Sequence, residues 1–284
     1  MNIYIVIPCY NEEQFLEKTL TSLVNQTFKA KKILVVNDNS TDGSEEIINA
    51  FAKAHEEIST LKTQQDAQHL PGSKIINAFN AGLAQLDQDY DVICKFDADL
   101  IFPANYLEDI SRVFKQNKRA GMVAGFCHIK RADVWQLENL TNKDHIRGAL
   151  KAYRKACFQD IEGLKPAMGW DTVDELLAQY NKWEVVTLQH LAVKHLKPTG
   201  NTYTQAAKFK QGEAFYSLRY GFVLSSIASL KLAYMKKSIG LFWDYMRGYL
   251  RAKQQRKTYL VSKTEGAFIR KTRWTGIWNK VRKS

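Results

Sequence analysis

An alternation constrains this chain more than any other feature. Short, almost wholly apolar runs give way to stretches of helical spacing and then return, up to Gln116. IYIVIP (3–8) reads as a buried strand stopped by Pro8, and KKILVVND (31–38) as a second. Further strands are expected near Ile58–Lys62 and over Asp91–Phe96. Between them, Glu12–Gln26 places Phe15, Leu16, Leu20, Leu23 and Val24 on one helical face, and NSTDGSEEIINAFAKAH is a turn feeding a helix. Thr41 or Asp42 is the expected N-cap of that helix, with Glu45 and Glu46 complementing its dipole. Lys74–Leu86 and Pro103–Gln116 are expected helices. Runs without polar alternation are what strands covered on both faces show, so β-α-β-α order implies a mainly parallel sheet flanked by helices. Such sheets bind ligands beyond the carboxyl ends of their strands. Pro8-Cys9-Tyr10, Asn37-Asp38-Asn39 and Asp97-Ala98-Asp99 all fall there.

Two carboxylates two residues apart at a strand's end are costly beside a core unless something pairs them. Asp97 and Asp99 can reach one cation, although an isolated Asp-x-Asp is more often a solvated acidic turn. Beyond Gly121 the pattern loosens. GMVAGFCHIK reads as a strand, GALKAYRKACFQDI has helical spacing, and GLKPAMGWDTVDELLAQYNKWEVVTL is a loop, a helix from about Thr172 and a strand. LAVKHLKPTG closes the regular part, and Pro198-Thr199-Gly200 marks a boundary between a domain over 1–200 and a region over 201–284.

With 45% apolar residues the chain can bury a core. Cys9, Cys94, Cys127 and Cys157 are scattered without metal-binding or disulfide spacing, which fits a reducing, cytoplasmic setting. The start has no basic leader, and its apolar run is short for a signal peptide. Net charge is +12, and from Lys208 onward 18 Lys and Arg face 3 acidic residues, so the last segment holds more than the whole excess. That segment lacks ~20 uncharged apolar residues in a row, so a spanning helix is not expected. IGLFWDYMRGYLRAKQQRK instead sets Phe242, Trp243, Tyr245, Met246 and Tyr249 beside Arg247, Arg251, Lys253, Arg256 and Lys257. This suits a basic amphipathic helix at an anionic leaflet, peripheral on the inner face of a membrane; a helical hairpin with its charges in water reads equally well.

IPCYNEE (7–13), VVNDNSTDGS (35–44), NAGL (80–83), DADL (97–100) and GWDTVDEL (169–176) resemble, in order and spacing over about 200 residues, the family 2 glycosyltransferases of GT-A (Rossmann-like) fold. The first half is most similar to polyprenyl-phosphate sugar synthases; GWDTVDEL and the basic tail look more like bacterial transferases that decorate glycolipids or polysaccharides. The resemblance implies a metal-dependent, inverting transfer from a nucleotide-sugar to a hydroxyl of a glycan or lipid-linked acceptor. It puts Pro8, Tyr10, Glu12, Asp38, Lys74, Asp97 and Ala98 around the nucleotide-sugar, with Asp38 reading the base. Asp99, with Asp97 and His195, would hold Mn²⁺ or Mg²⁺. Asp174 aligns with the general base and Asp171 is the alternative, while Trp170 would floor the acceptor site. The residues alone leave bland readings open: Asp38 as an Asx-turn, Asp171 as a helix N-cap, His195 and Trp170 as core.

The chemistry suits the residue types. A leaving diphosphate gains negative charge, which a hard dication on carboxylates can neutralise, and an acceptor hydroxyl needs a base. Two other classes compete less well. A nucleotidyltransferase wants a Gly-rich phosphate loop that IPCYNEEQF lacks. A nucleic-acid-binding protein would use the basic tail but leave the strand-end carboxylates unexplained.

Overall fold

A computed structural model describes residues 1–63, 73–138, 144–197 and 207–282. The chain divides into one unit of 1–166 with 170–199 and another of 167–169 with 200–284.

The first unit opens with β1 (Ile3–Cys9), α1 (Leu16–Val24), β2 (Lys32–Asp38), α2 (Ser44–Ala54), β3 (Ile58–Thr63), α3 (Ser73–Gln85) and β4 (Val92–Phe96). The four strands lie in the order β3-β2-β1-β4, all parallel. Every residue of β1 and β4 is buried, as their unbroken apolar runs require. Register aligns the strand ends: Cys9 pairs with Asn37, and Asp38 with Thr63. In α3, a Cβ on Gly82 would lie 2.6 Å from Val36 Cγ2 and 2.8 Å from Val6 Cγ1. The glycine of NAGL therefore lets this helix sit directly on β1 and β2. Asp42 accepts from the Ser44 amide at the start of α2 (3.1 Å), although the residue preceding that helix is Gly43.

The second half brings β5 (Leu100–Ile101), α4 (Tyr106–Gln116), β6 (Ala120–Arg131), β7 (Val134–Leu137), β8 (Leu150–Arg154), α5 (Lys155–Asp160), α6 (Trp170–Tyr180) and β9 (Glu184–His195). The sheet continues β4-β8-β6-β9-β5, with β7 paired to β6. β8 is antiparallel to both β4 and β6, β5 is antiparallel to β9, and only β6 with β9 adds a parallel pair. The sheet is thus mixed, not mainly parallel. Local geometry enforces part of this. Ala132 and Asp133 both have positive φ (43° and 64°), the two-residue turn that folds β7 back on β6 as a hairpin. GALKAYRKACFQDI also departs from its helical spacing. Leu150–Arg154 is a strand because Ala152 fills a slot between Cys94 and Val123, and only Lys155–Asp160 coils. Sheet pairing overrides the helix propensity of Ala and Lys there.

The second unit holds α7 (Ala207–Ser217), α8 (Phe222–Met235), α9 (Gly240–Gln254) and α10 (Lys263–Val281). α7 and α9 cross backbone to backbone. A Cβ on Gly212 would fall 1.7 Å from the Tyr245 carbonyl oxygen, and one on Gly248 2.0 Å from that of Phe209. Tyr245, Met246 and Tyr249 are buried in this packing, and Tyr216 meets Tyr249 edge to face at 5.8 Å. In sequence α9 is open to two readings, interfacial helix or packed hairpin; its aromatic face is largely interior, and of its large apolar residues only Trp243 and Leu250 are exposed. Among the described residues no helix is long and apolar enough to cross a membrane. The boundary expected at Pro198-Thr199-Gly200 lies outside the described residues.

Candidate active site

The strand ends of β1, β2 and β4 and the start of α3 enclose a cleft of about 330 Å³. Pro8, Tyr10, Glu12, Asp38, Lys74, Asp97 and Ala98 all line it, together with Asp99 and Lys197. Its walls are set by two stitched loops. Asn11 accepts from the Thr41 amide (2.8 Å), and the Asn11, Glu12 and Glu13 amides donate to Ser40 Oγ, Ser44 Oγ and Asp42. Glu13 in turn accepts from the Gly43 amide (2.7 Å). Most polar residues of NEE and NSTDGS thus hold the loops together, leaving Tyr10, Glu12 and Asp38 to face the cleft. Asp38 accepts a hydrogen bond from Thr63 Oγ1 (3.0 Å), and the Lys74 ammonium lies 5.9 Å from the Tyr10 ring centroid.

The two carboxylates of DADL differ in surroundings. Asp97 pairs with the buried Lys95 ammonium, which also donates to the Gly148 carbonyl (3.2 Å). Asp99 Oδ2 lies 3.3 Å from His195 Nε2, while its Oδ1 is buried without a partner among the described residues. Pairing of Leu100 with His195 between β5 and β9 sets this contact. His195 Nδ1 faces Glu138 (3.0 Å), and Glu138 is paired with Arg147. Burial lowers the His195 pKa, but the Asp99 and Glu138 carboxylates outweigh it and raise it to about 9. Donor atoms of Cys127, Glu138 and His195 lie within 4.8 Å of one another, a candidate metal-binding cluster. Burial pushes the Cys127 thiol up to about 12, so it stays neutral and is a poor ligand for a hard cation. The orphaned Asp99 oxygen fits Mn²⁺ or Mg²⁺, and His195 would join it only by giving up its Nε2 proton as the cation enters.

The α6 residues form a second set. α6 starts at Trp170, so Asp171 lies in its first turn and is not its N-cap. Asp174 is only 2% exposed; both its oxygens bind Lys151 Nζ (2.7 and 2.8 Å) and one also accepts from Tyr153. Both Asp174 oxygens are thus occupied by Lys151 and Tyr153, whereas Asp171, the alternative base, keeps an accessible face. Asp171 is 35% exposed and 3.8 Å from His145 Nε2, whose Nδ1 meets Glu175 (2.8 Å). Burial raises the Asp171 carboxyl, yet His145 and Lys151 outweigh it and hold the pKa below its usual value. Burial likewise lowers His145, but Asp171 and Glu175 bring it up to about 9.

Residues 4–160 match Glycosyl transferase family 2. The chain belongs to this family. A poly-β-1,6-N-acetyl-D-glucosamine synthase of Staphylococcus epidermidis is 32% identical over 128 residues, covering 43% of this chain and 28% of the synthase. Its Staphylococcus aureus counterpart is 27% identical over 188 residues, covering 65% and 40%. The chain thus spans less than half the length of these relatives. Among solved structures, Staphylococcus aureus TarS 1–349 in complex with UDP-GlcNAc aligns with TM-score 0.58 at 16% identity, over 82% of this chain and 67% of that one. A Pyrobaculum calidifontis mannosyltransferase in complex with GDP-Man and Mn²⁺ aligns with TM-score 0.60 at 16% identity, over 99% and 82%. These likenesses fix the fold as GT-A-like.

Within this family member, Trp170 is 8% exposed, its ring 5.3 Å from Lys95 Nζ and 5.5 Å from Lys151 Nζ, so in this structure it packs against two buried ammonium groups. His128 and His190 lie outside the cleft lining, His190 bound to Asp109 (3.0 Å). Sequence reasoning missed Lys95, Glu138, His145, Lys151 and Lys197. Lys95 and Lys151 carried a signal, since a lysine inside an apolar strand needs a buried anion. Lys197, which binds Glu12 (2.9 Å) across 185 residues, carried none.

Proposed function

We propose that the chain moves a sugar from a nucleotide-sugar to a hydroxyl of a glycan or lipid-linked acceptor, with inversion, in the synthesis of cell-surface polysaccharide or glycolipid. The observation that carries this is the convergence of Asp38, Asp97, Asp99, Glu12 and Lys74 in one cleft at the strand ends. Asp38 takes the base N–H, already oriented by Thr63. Asp97, half neutralised by Lys95, serves the ribose hydroxyls. Asp99 and His195 hold the metal, with Glu138 fixing the imidazole from behind. Bound Mn²⁺ or Mg²⁺ neutralises charge on the departing diphosphate. Lys197 exchanges its Glu12 partner for a phosphate oxygen.

Asp171 is the base in this reading. Its carboxylate is ionised and open, and it takes the acceptor proton as the new C–O bond forms and the bond to the diphosphate oxygen breaks. Gly148 joins it to the donor side: its carbonyl binds Lys95, and a Cβ there would sit 3.2 Å from Asp171 Cβ. We take 1–200 as the catalytic domain and 201–284 as a helical accessory region, working in the cytoplasm and peripherally at the membrane. We expect no nucleic-acid partner, since a nucleic-acid-binding role would leave the cleft carboxylates unexplained. A polyprenyl phosphate is an alternative acceptor, suggested by the first-half motifs.

Calorimetry with UDP-GlcNAc, GDP-mannose and dTDP-glucose, in Mn²⁺ and in EDTA, tests the class. UDP-GlcNAc comes first because the named staphylococcal proteins are N-acetylglucosamine polymer synthases or were captured with that donor. Metal-dependent binding of one donor is expected; equal binding in EDTA would remove the metal from the reading.

A further inference from the structure

Helix α8 is built inside out. Its inward face carries Ser225, Ser229 and Ala233, each buried at i, i+4, i+8 spacing, with Leu224 beside them. Its outward face carries Val223, Ile227, Leu230 and Tyr234, which at i, i+4, i+7 and i+11 form one stripe within about 60° of arc. Val223 is 60%, Leu230 53% and Tyr234 85% exposed. A helix bathed in water buries its large apolar side chains and shows its serines. This one does the reverse. Met235 and Ile239, also exposed, extend the apolar surface into the turn before α9.

Small residues between helices and large apolar ones outside form the arrangement suited to a hydrocarbon surround. Gly212 and Gly248 bring α7 and α9 together in the same manner. The charge around the stripe selects the kind of surface. From Phe222 to Gln254 the chain has six Lys and Arg and one acidic residue, Asp244. Lys231, Lys237 and Arg247 are exposed. At 14 residues α8 is about 21 Å long, short of a bilayer's apolar core.

We propose that the Val223–Ile227–Leu230–Tyr234 stripe of α8, with the α8–α9 turn, docks onto an anionic lipid leaflet, the helix lying in the interface and not crossing it. The lysines meet lipid phosphates while the aliphatic groups enter the acyl boundary. This puts the membrane face on α8 and not on α9, for which the sequence pattern left it open. It does not depend on glycosyl transfer, so Asp99→Ala should bind lipid as the unmodified protein does.

The test is co-sedimentation of the full chain with vesicles of phosphatidylcholine alone or with added phosphatidylglycerol. Binding is expected on the mixed vesicles, falling with salt. Ile227→Ser/Leu230→Ser/Tyr234→Ser should weaken it roughly a hundredfold without changing the circular dichroism, since all three side chains are outward. Lys231→Gln/Lys237→Gln should cost roughly thirtyfold on anionic vesicles only. A second readout uses Leu230→Cys carrying a nitroxide; the four native cysteines are buried and stay unlabelled. With vesicles the label should gain oxygen accessibility and lose that of a water-soluble paramagnet. The proposal is overturned if the protein stays in solution with anionic vesicles at low salt. It is equally overturned if the triple variant binds undiminished, or if sedimentation velocity shows a stable dimer that the same variant dissolves.

Discussion

Asp171 and Asp174 stand one helical turn apart and have opposite fates. Asp171 keeps an open face, so Asp171→Asn should retain donor binding by calorimetry and lose transfer by roughly 10²-fold or more, on the order expected for a general base. Asp174→Asn should act on stability. It strands the buried Lys151 ammonium, which removal of one partner of a buried pair makes costly by about 3–5 kcal/mol, measurable as a lower urea midpoint. If Asp174→Asn is instead fully stable and inactive, the roles are reversed. His145 supplies a pH signature. Its pKa of about 9 lies above the unfolded value, so the stability it confers is complete below about pH 6.5 and is lost as pH rises through about 9. His145→Gln should flatten the denaturant midpoint between those limits, leaving only the parallel share from His195. At this scale the cleft was legible because its residues sit in short motifs at strand ends. The charge partners were not, since Lys95, Glu138 and His145 owe their meaning to neighbours distant in sequence.

Among the elements, legibility followed periodicity. β1, β2 and β4 declare themselves by unbroken apolar runs, and α1 to α4 by repeats of helical spacing. β8 did not, because Leu-Lys-Ala-Tyr-Arg suits a helix locally and becomes a strand only between two strands already formed. α9 stayed ambiguous for a related reason. Its aromatics mark an apolar face, but a sequence does not say whether protein or lipid covers it; the glycines at 212 and 248 decide that α7 does. α3 offers the cleanest test of such close approach. Gly82→Val should overpack against Val6 and Val36 and destabilise the first unit by about 1–3 kcal/mol, read by thermal unfolding. It should also lower donor affinity, since Lys74 begins the same helix.

Across the whole molecule, charge and chemistry are segregated. The carboxylates gather at the ends of β1, β2 and β4, and the surplus cations lie in the helices beyond 207. Asp99→Ala should therefore abolish metal-dependent donor binding with little loss of stability, because among the described residues the carboxylate makes one close ion pair, with His195, and has one oxygen with no partner. A drop in melting temperature equal to that of Asp174→Asn would show that Asp99 is structural. The order in which the sheet is assembled carries a different consequence. β9 is the last strand of the chain to form, yet it lies inside the sheet, between β6 and β5, and delivers His195 to Asp99. Until Glu184–His195 has left the ribosome, β6 presents a long unpaired edge and the cleft lacks one wall. Contacts of such sequence separation are slow to close, and open edges invite other chains. A nascent chain halted before β9 would thus expose the β6 edge and lack the strand that brings His195 to Asp99.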